Sequence, residues 1–178
     1  MKETSSGQPE MVEWRGKRYL YQWIEGGNEH LFEPRTLVHI ICFDNFGNVL
    51  IQHENDEWRF PGGGSEENES LEATVTREAI EETGIVPAEI QLLGAFKVQK
   101  LSAVESPYFQ LCAFCRAGER RERIPSSENA EIDEVRFVSP VEIPEYIKWG
   151  KHGAEMFDTA WSHFRSLPEM TKEIVGPH

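Results

Sequence analysis

The segment from Phe60 to Val86, FPGGGSEENESLEATVTREAIEETGIV, most constrains what this chain can fold into. A proline and three glycines come first, and a helical pattern then runs from about Ser70 to Thr83. Gly84 follows where a left-handed C-cap is expected. Seven glutamates surround a single arginine in this segment, although like charges three or four residues apart on a helix repel one another. Their crowding therefore needs a physical reason.

The helical pattern places acids on its apolar side. On a wheel that advances about 100° per residue, Glu78 and Glu82 project beside Leu71 and Val75, and Glu81 is one step away. A solvated acidic helix after a flexible loop is the simpler interpretation, but it would keep its acids away from the apolar stripe. The pattern therefore predicts three carboxylates that point toward the protein body or a cleft.

Partly buried carboxylates that crowd one another stay ionised only if cations hold them. The ligands would be oxygens, without a cluster of His or Cys, and this favours Mg²⁺ first and Mn²⁺ second. Arg77 can reach Glu81, or Glu69 near the start of the helix, and would hold the acids in place. Pro61 and the glycines predict a loop that holds one backbone ligand against these acids.

Composition limits the partners of the chain. Its 178 residues fit one domain of ordinary size, and the formal net charge of -13 argues against an open electrostatic grip on nucleic acid. No apolar run approaches the ~20 residues of a membrane span, and the first residues lack the apolar segment of a signal peptide. We therefore expect a cytoplasmic protein that binds neither nucleic acid nor membranes.

The cysteines predict no metal or redox site. Cys112 and Cys115 have the spacing of a CxxC motif, but they lie in a strand-like segment, where residues three apart point to opposite faces. No second pair completes a tetrahedral zinc site, so these cysteines and Cys42 are interpreted as small core residues.

The order of elements predicts a main domain at residues 36–178 and a β-rich extension at residues 1–35. Strand patterns alternate with two or three helices, which indicates an α/β or α+β sandwich with a mixed β-sheet. The final helix, at about residues 154–167, carries an apolar stripe that would pack on the sheet. The extension could cap the core, form a homodimer contact or flank the substrate, and the sequence does not choose between these.

The central segment resembles the signature of a known family. From Gly63 the chain reads Gly, five residues, Glu69, seven residues, Arg77-Glu78-Ala79, one residue, Glu81-Glu82, one residue, Gly84-Ile85. This pattern is similar to the Nudix box of the Nudix hydrolases, and the wider resemblance covers roughly residues 36–167. It implies an α/β/α sandwich that hydrolyses pyrophosphate linkages in nucleoside diphosphates joined to another moiety, with Mg²⁺ or Mn²⁺.

The resemblance also implies roles for individual residues. Glu78, Glu81 and Glu82 match the metal-binding acids, and Gly62 matches the residue that lends a backbone carbonyl. Glu69 and Arg77 match the pair that supports them. These residues form the predicted catalytic and metal-binding set.

The general base is open, because the family takes it either from the box or from a later loop. Glu128, Glu131 and Glu134 lie in a stretch from which a loop glutamate could reach the site. A solvated loop is the simpler interpretation of this stretch. Among the three, Glu131 is the predicted base.

The predicted substrate-binding residues are Trp58, Phe60, Gly63 and Tyr108. The aromatic residues could stack on a base, although an aromatic residue in a strand is more often part of the core. The loop before the Nudix box reads PGGG and lacks the alanine-glycine variant associated with ADP-ribose hydrolases. This favours a nucleoside triphosphate or related nucleotide as substrate. A nucleotide sugar and a dinucleoside polyphosphate stay as alternatives.

Two other functions fit the same fold. One is a regulator that binds a nucleotide without cleaving it, but such proteins usually have a broken box or an attached DNA-binding domain. The other is an isomerase of an isoprenoid diphosphate, whose site context is not recognisable here apart from Cys42. The complete box favours the hydrolase.

Overall fold

A mixed β-sheet organises the fold in the computed structural model, which describes residues 5–102, 106–123 and 132–168. The strands within these residues are β1 (Ser5–Ser6), β2 (Glu10–Trp14), β3 (Lys17–Glu25), β4 (Arg35–Phe43), β5 (Val49–Glu54), β6 (Glu57–Arg59), β7 (Gly62–Gly63), β8 (Ile85–Lys100), β9 (Tyr108–Arg120) and β10 (Ile132–Val138). Their order is β1-β3-β8-β9-β4-β5-β10, with β2 paired to β3, β6 to β5 and β7 to β4. The pair β4–β9 is parallel and the other pairs are antiparallel. The predicted mixed sheet is confirmed.

Helices cover the two faces of this sheet. They are α1 (Leu71–Thr83), the short α2 (Ile143–Tyr146) and α3 (Gly150–Ser166). The hydroxyl of Ser70 accepts a hydrogen bond from the backbone N–H of Ala73, and Gly84 ends α1 with φ 73°. Both ends of α1 therefore lie where the sequence predicts them, because the capping signals are local.

Each face of the sheet has its own apolar core. The core under α1 includes Val38, Ile40, Leu50, Leu71, Val75, Ala79 and Leu111, and the core under α3 includes Trp23, Ile41, Phe43, Phe96, Phe114, Met156 and Ala160. Alternate residues of one strand enter opposite cores, as the pleat of a strand requires. The result is the predicted α/β/α sandwich.

The final helix begins earlier than predicted. It starts at Gly150, and the carboxylate of Glu10 on β2 accepts hydrogen bonds from the backbone N–H groups of Lys151 at 3.4 Å and His152 at 2.9 Å. The Nδ1 atom of His152 lies 2.8 Å from the same carboxylate. A side chain from a distant strand thus satisfies the first turn, which a reading of local capping signals does not detect.

The N-terminal strands belong to the same sheet. Strand β3 pairs with β8 from Tyr19 to Glu25, and β2 joins β3 through a turn in which Arg15 and Gly16 have positive φ. The division between an extension and a main domain at residue 35 stays a prediction. The three cysteines are free and buried in the two cores, as predicted.

Phe43 is the residue whose loss should most weaken the α3 core. Its ring is fully buried and stacks on the rings of Phe114, Phe157, Trp161 and Phe164, at centroid distances of 4.8 to 6.4 Å. We expect Phe43→Ala to lower the free energy of unfolding by about 4 kcal/mol, since it leaves a cavity.

Urea unfolding measures this difference. The control is Phe46→Ala, because Phe46 lies in the next turn with 91% of its surface exposed and should change stability little. Equal effects of the two substitutions would contradict the packing described for Phe43.

Candidate active site

A glycine loop lies against the end of α1. Strand β7 pairs with β4, so that Gly62 is opposite His39 and Gly63 is opposite Val38. Gly62 has φ 143°, and a Cβ at this position would lie 2.0 Å from the carbonyl oxygen of Val38. Only glycine fits there without a shift of the backbone. The sheet therefore fixes the backbone of Gly62 beside the helix.

The three predicted metal-binding acids follow one another along α1 beside this loop. Glu78 and Glu82 are buried, with 7% and 5% of their surface exposed, while Glu81 is partly exposed. The backbone N–H of Gly62 donates to Oε2 of Glu82 at 2.7 Å. A Cβ on Gly63 would lie in the space that the Glu78 carboxylate occupies. Glu78 and Glu82 thus point inward, as the helical wheel predicts, while Glu81 is only partly buried.

Arg77 is the centre of an ionic network at this site. Its Nε and Nη2 atoms each donate to Glu69 at 2.9 Å, and Nη2 also donates to the carbonyl of Gly64 at 2.8 Å. Its Nη1 atom donates to Glu78 at 2.7 Å and lies 3.6 Å from Glu81. One guanidinium therefore holds three carboxylates and the glycine loop in a fixed arrangement.

The same network sets the pKa values of the acids. The hydrogen bonds from Arg77 hold the pKa of Glu69 down to about 2. Burial raises the pKa of Glu82 to about 7, although the hydrogen bond from Gly62 acts in the opposite direction. Burial also raises the pKa of Glu78, and Arg77 opposes this effect. For both of these acids, burial is therefore the largest effect on the pKa, and the contacts with Gly62 and Arg77 offset it only in part.

Gln52 is a polar neighbour that the sequence reasoning missed. Its side chain is fully buried on β5, and both of its polar atoms lack a hydrogen bond of normal geometry. It lies near enough to Glu82 to lower the pKa of that carboxyl. The signal in the sequence is a lone polar residue in the apolar strand VLIQHE, at a position that alternation places on the α1 face with Leu50.

The donor set suits a hard divalent cation in its chemistry. Three carboxylates and a backbone carbonyl are oxygen ligands of the kind that such a cation prefers, and the buried side chain of Gln52 has no hydrogen bond of normal geometry. In the described residues, the side chains as placed do not converge as a group of three around one point. Arg77 and Gly62 engage their oxygens instead.

Glu29 and Arg35 brace the start of α1. Oε2 of Glu29 accepts hydrogen bonds from Nη1 of Arg35 at 2.8 Å and from the backbone N–H of Leu71 at 3.0 Å. Nη2 of Arg35 donates to the carbonyl of Glu69 at 3.1 Å. The pair therefore positions the residue that holds Arg77. The sequence offers no local signal for it, since the partners lie far apart in the chain.

The predicted aromatic residues lie on the α3 face of the sheet. Trp58 packs under the guanidinium of Arg136 at 4.4 Å and edge-on to Tyr146. The ring of Phe60 is only 4% exposed and contacts Trp149 and Phe157. Their roles in binding stay predictions.

The predicted base is not placed. Glu128 and Glu131 lie outside the described residues. Glu134 lies on β10 and forms an ion pair with Arg136. The structure therefore brings together the acids of α1, Glu69, Arg77 and the glycine loop, and leaves the base as a prediction.

Comparison with known proteins agrees with this geometry. The NUDIX domain family matches residues 33–159. An RNA pyrophosphohydrolase of Xylella fastidiosa (strain 9a5c) is 30% identical over 165 residues, which cover 82% of this chain and 81% of that protein. Other relatives match over less of their length: the RNA pyrophosphohydrolase of Hydrogenovibrio crunogenus is 45% identical over 63 residues, 30% of this chain and 38% of that protein.

Solved structures share the fold. A mutant of the Bacillus subtilis pyrophosphohydrolase BsRppH superposes with a TM-score of 0.65 at 18% identity, covering 82% of this chain and 92% of that one. A NUDIX hydrolase from Nitrosomonas europaea gives a TM-score of 0.58 at 15% identity, covering 78% and 100% of the two chains.

The chain belongs to the Nudix hydrolase family. It is accordingly a hydrolase of phosphoric anhydrides, in a family that generally needs a divalent metal ion. In the described residues no helix has both the length and the apolar character needed to cross a membrane.

The raised pKa of Glu82 predicts that the stability of the metal-free protein depends on pH. Its folded-state pKa of about 7 lies above the ordinary value of 4.5, so the folded protein binds this proton more tightly than the unfolded chain does. The stability from this proton is complete below pH 4.5 and is lost as pH rises through about 7. Glu82→Gln keeps the acceptor and removes the charge, and it should therefore stabilise the metal-free protein by about 3 kcal/mol above pH ~8.

Urea unfolding in a chelating buffer measures this difference across the pH range. Near pH 4.5 the variant and the wild type should have similar stability. Glu72→Gln is the control, because Glu72 is exposed on the same helix and should give no comparable pH dependence. A Glu82→Gln effect that is constant with pH would show that Glu82 is not the titrating group.

Proposed function

We propose that this Nudix hydrolase removes pyrophosphate from the 5′-triphosphate end of an RNA with Mg²⁺ or Mn²⁺. The observation that carries the proposal is the line of acids held by Arg77 beside the backbone of Gly62. The relatives named RNA pyrophosphohydrolase support RNA as the substrate, against the expectation from the net charge that the protein binds no nucleic acid. A free nucleoside triphosphate, which the sequence favours, presents the same triphosphate and is the natural comparison substrate.

The proposed reaction breaks the anhydride bond between the α and β phosphates. Water supplies the oxygen and the proton, and the products are an RNA with a 5′-monophosphate and pyrophosphate. Such a reaction needs a fixed geometry and compensation for the phosphate charge more than it needs covalent chemistry.

Glu78, Glu81, Glu82 and the carbonyl of Gly62 are the residues that would hold the ion. When bound, the ion supplies charge neutralisation and a water of lowered pKa. Arg77 and Glu69 would keep the carboxylates aimed, and the sheet would keep the Gly62 carbonyl in place. Gly63 stays a predicted substrate-binding residue, and its missing Cβ leaves room for the Glu78 carboxylate. Glu131 stays the predicted general base.

Location and assembly are part of the same proposal. Three buried free cysteines fit a reducing compartment, and we place the protein in the cytoplasm. A homodimer stays a prediction.

Removal of one metal-binding charge should abolish most of the turnover. We expect Glu81→Gln and Glu82→Gln each to lower kcat by ~10²-fold or more while the fold is kept, because catalysis here depends on positioning and charge stabilisation. The assay follows pyrophosphate release from a 5′-triphosphorylated RNA and from a nucleoside triphosphate, with Mg²⁺ or Mn²⁺ added.

Glu72→Gln is the control for a lost negative charge on α1. It should retain wild-type turnover, since Glu72 is exposed in the first turn of α1, before the metal-binding acids. Full activity of Glu82→Gln would show that the ligands are misassigned. A panel with nucleotide sugars and dinucleoside polyphosphates separates the remaining substrates, and turnover of these but not of a 5′-triphosphate would overturn the proposed substrate.

A further inference from the structure

Strands β5 and β6 carry three polar side chains, those of Gln52, Glu54 and Arg59, on the face of the sheet that α1 covers. Leu50 of β5 lies in the core under α1, and alternation along the strand puts Gln52 and Glu54 on the same face. Arg59 of β6 is paired with Gln52, so its side chain points to that face as well. The three side chains therefore share a face with the acids of α1.

These side chains adjoin Glu82, one of the predicted metal-binding acids. Gln52 lies near enough to Glu82 to lower the pKa of that carboxyl, and the negative charge of Glu54 acts on the same carboxyl and raises its pKa. The backbone makes a second connection, because Arg59 comes three residues before Gly62, whose N–H group donates to Glu82 at 2.7 Å. Arg59 therefore lies at the border of the candidate active site.

The guanidinium of Arg59 keeps donors that no protein group uses. Its Nη1 atom lies 2.9 Å from Oε2 of Glu54, and within the described part of the chain this ion pair is the one polar contact of the Arg59 side chain. That side chain is 39% exposed, against 14% for Glu54. A guanidinium has five N–H donors in a planar fork, so most of those of Arg59 are open to a ligand.

The other arginines beside this site are committed to protein groups. Arg77 donates to Glu69, to Glu78 and to a backbone carbonyl. Arg35 is held by Glu29 and donates to the carbonyl of Glu69. A phosphate chain at these acids would meet several negative charges, of which bound metal ions neutralise a part. Arg59 is placed to supply a further positive charge.

We infer that Arg59 binds the phosphate chain of the substrate beside the metal-binding acids of α1. Its free N–H groups would donate to nonbridging phosphate oxygens, as a guanidinium fork does well, while the ion pair with Glu54 is kept. The inference rests on the proposed function for the place of the phosphates, but it does not depend on RNA as the substrate.

A different role for Arg59 would be to neutralise Glu54 beside Glu82, with no contact to the substrate. The two roles differ in how Arg59→Ala behaves once Glu54 has lost its charge. If Arg59 only neutralises Glu54, then Arg59→Ala has no effect in a protein that carries Glu54→Gln. If Arg59 binds phosphate, its removal weakens substrate binding in that protein as well.

Arg116→Ala is the matched control for the loss of one arginine. Arg116 is partly buried on β9, where it pairs with Phe43 on the α3 face of the sheet. Its Nη2 atom donates to Asn45 at 2.7 Å, and its guanidinium lies over the ring of Phe164 at 5.7 Å. The substitution therefore removes the same charge from the face opposite the acids. Thermal melting of each variant checks the fold.

The first measurement is binding of adenosine and guanosine triphosphate analogues with a methylene group between the α and β phosphates, by calorimetry with Mg²⁺. Water does not cleave that linkage. Arg59→Ala should raise the Kd about tenfold, since a charge-assisted contact is lost. Arg59→Lys keeps the charge without the fork and should raise it about threefold.

Two further comparisons complete the binding test. Arg59→Ala combined with Glu54→Gln should bind the analogues at least about fivefold more weakly than Glu54→Gln alone. Arg116→Ala should stay within about twofold of the wild type. Equal affinity of the combined variant and Glu54→Gln, or no binding of either analogue by the wild type, would overturn the inference.

The second measurement is pyrophosphate release from a 5′-triphosphorylated RNA and from a nucleoside triphosphate. Arg59→Ala should raise KM about tenfold for each substrate that is turned over and lower kcat by less than about threefold, because the contact is present before and during cleavage. An unchanged KM, or equal effects of Arg59→Ala and Arg116→Ala, would overturn the inference. If Arg59→Ala does not fold, Arg59→Lys gives the same comparison at the smaller expected change.

The two measurements separate the two proposals. Binding of the analogues that depends on Arg59, without pyrophosphate release from the RNA, would leave this inference standing and overturn the proposed substrate. Pyrophosphate release from the RNA that Arg59→Ala does not change would support the proposed function and overturn the role of Arg59.

Discussion

The ionic contacts of Arg77 are the constraint on which the site depends. One guanidinium holds Glu69, Glu78 and the carbonyl of Gly64, and lies near Glu81. Without it, the three neighbouring carboxylates of Glu69, Glu78 and Glu81 would repel one another or take up protons. The close spacing of these acids is unusual for a helix. The fold maintains it because the guanidinium of Arg77 is fixed among them.

The sheet supplies the second half of the constraint. The backbone of Gly62 is held by pairing with β4, and its N–H group contacts Glu82 directly. The relative position of loop and helix is thus set by two packed elements and not by flexible side chains alone. This fixed backbone is preorganised in the way that electrostatic catalysis needs, whereas the carboxylates of Glu78 and Glu82, which contact Arg77 and Gly62, would have to turn to hold an ion.

Local signals predict much of this structure. The caps of α1, the inward direction of Glu78 and Glu82 and the mixed sheet all follow from spacing within short segments. The contacts that sequence reasoning missed join residues distant in the chain. Glu10 caps α3, and Glu29 and Arg35 brace α1, because the fold brings them there. Gln52 is an intermediate case. The sequence shows a single polar residue in an apolar strand, but it does not show that this residue lies near Glu82.

For the predicted aromatic residues, the degree of burial could not be predicted from the sequence. Phe60 is a core residue by its exposure, while Tyr108 and Trp58 keep accessible edges. The sequence pattern of a strand is the same whether its aromatic residue is covered by a helix or lies at the partly exposed edge of the core. Only the position of α3 distinguishes these cases.

The Glu10 cap has a consequence for how the protein can be shortened. A fragment cut to the limits of the matched family region, residues 33–159, would lose β2, β3 and Glu29 as well as the last turns of α3. The first turn of that helix would then present bare N–H groups, and β8 would become an unprotected sheet edge. A fragment that keeps these contacts therefore has to include β2 and β3, upstream of the matched family region.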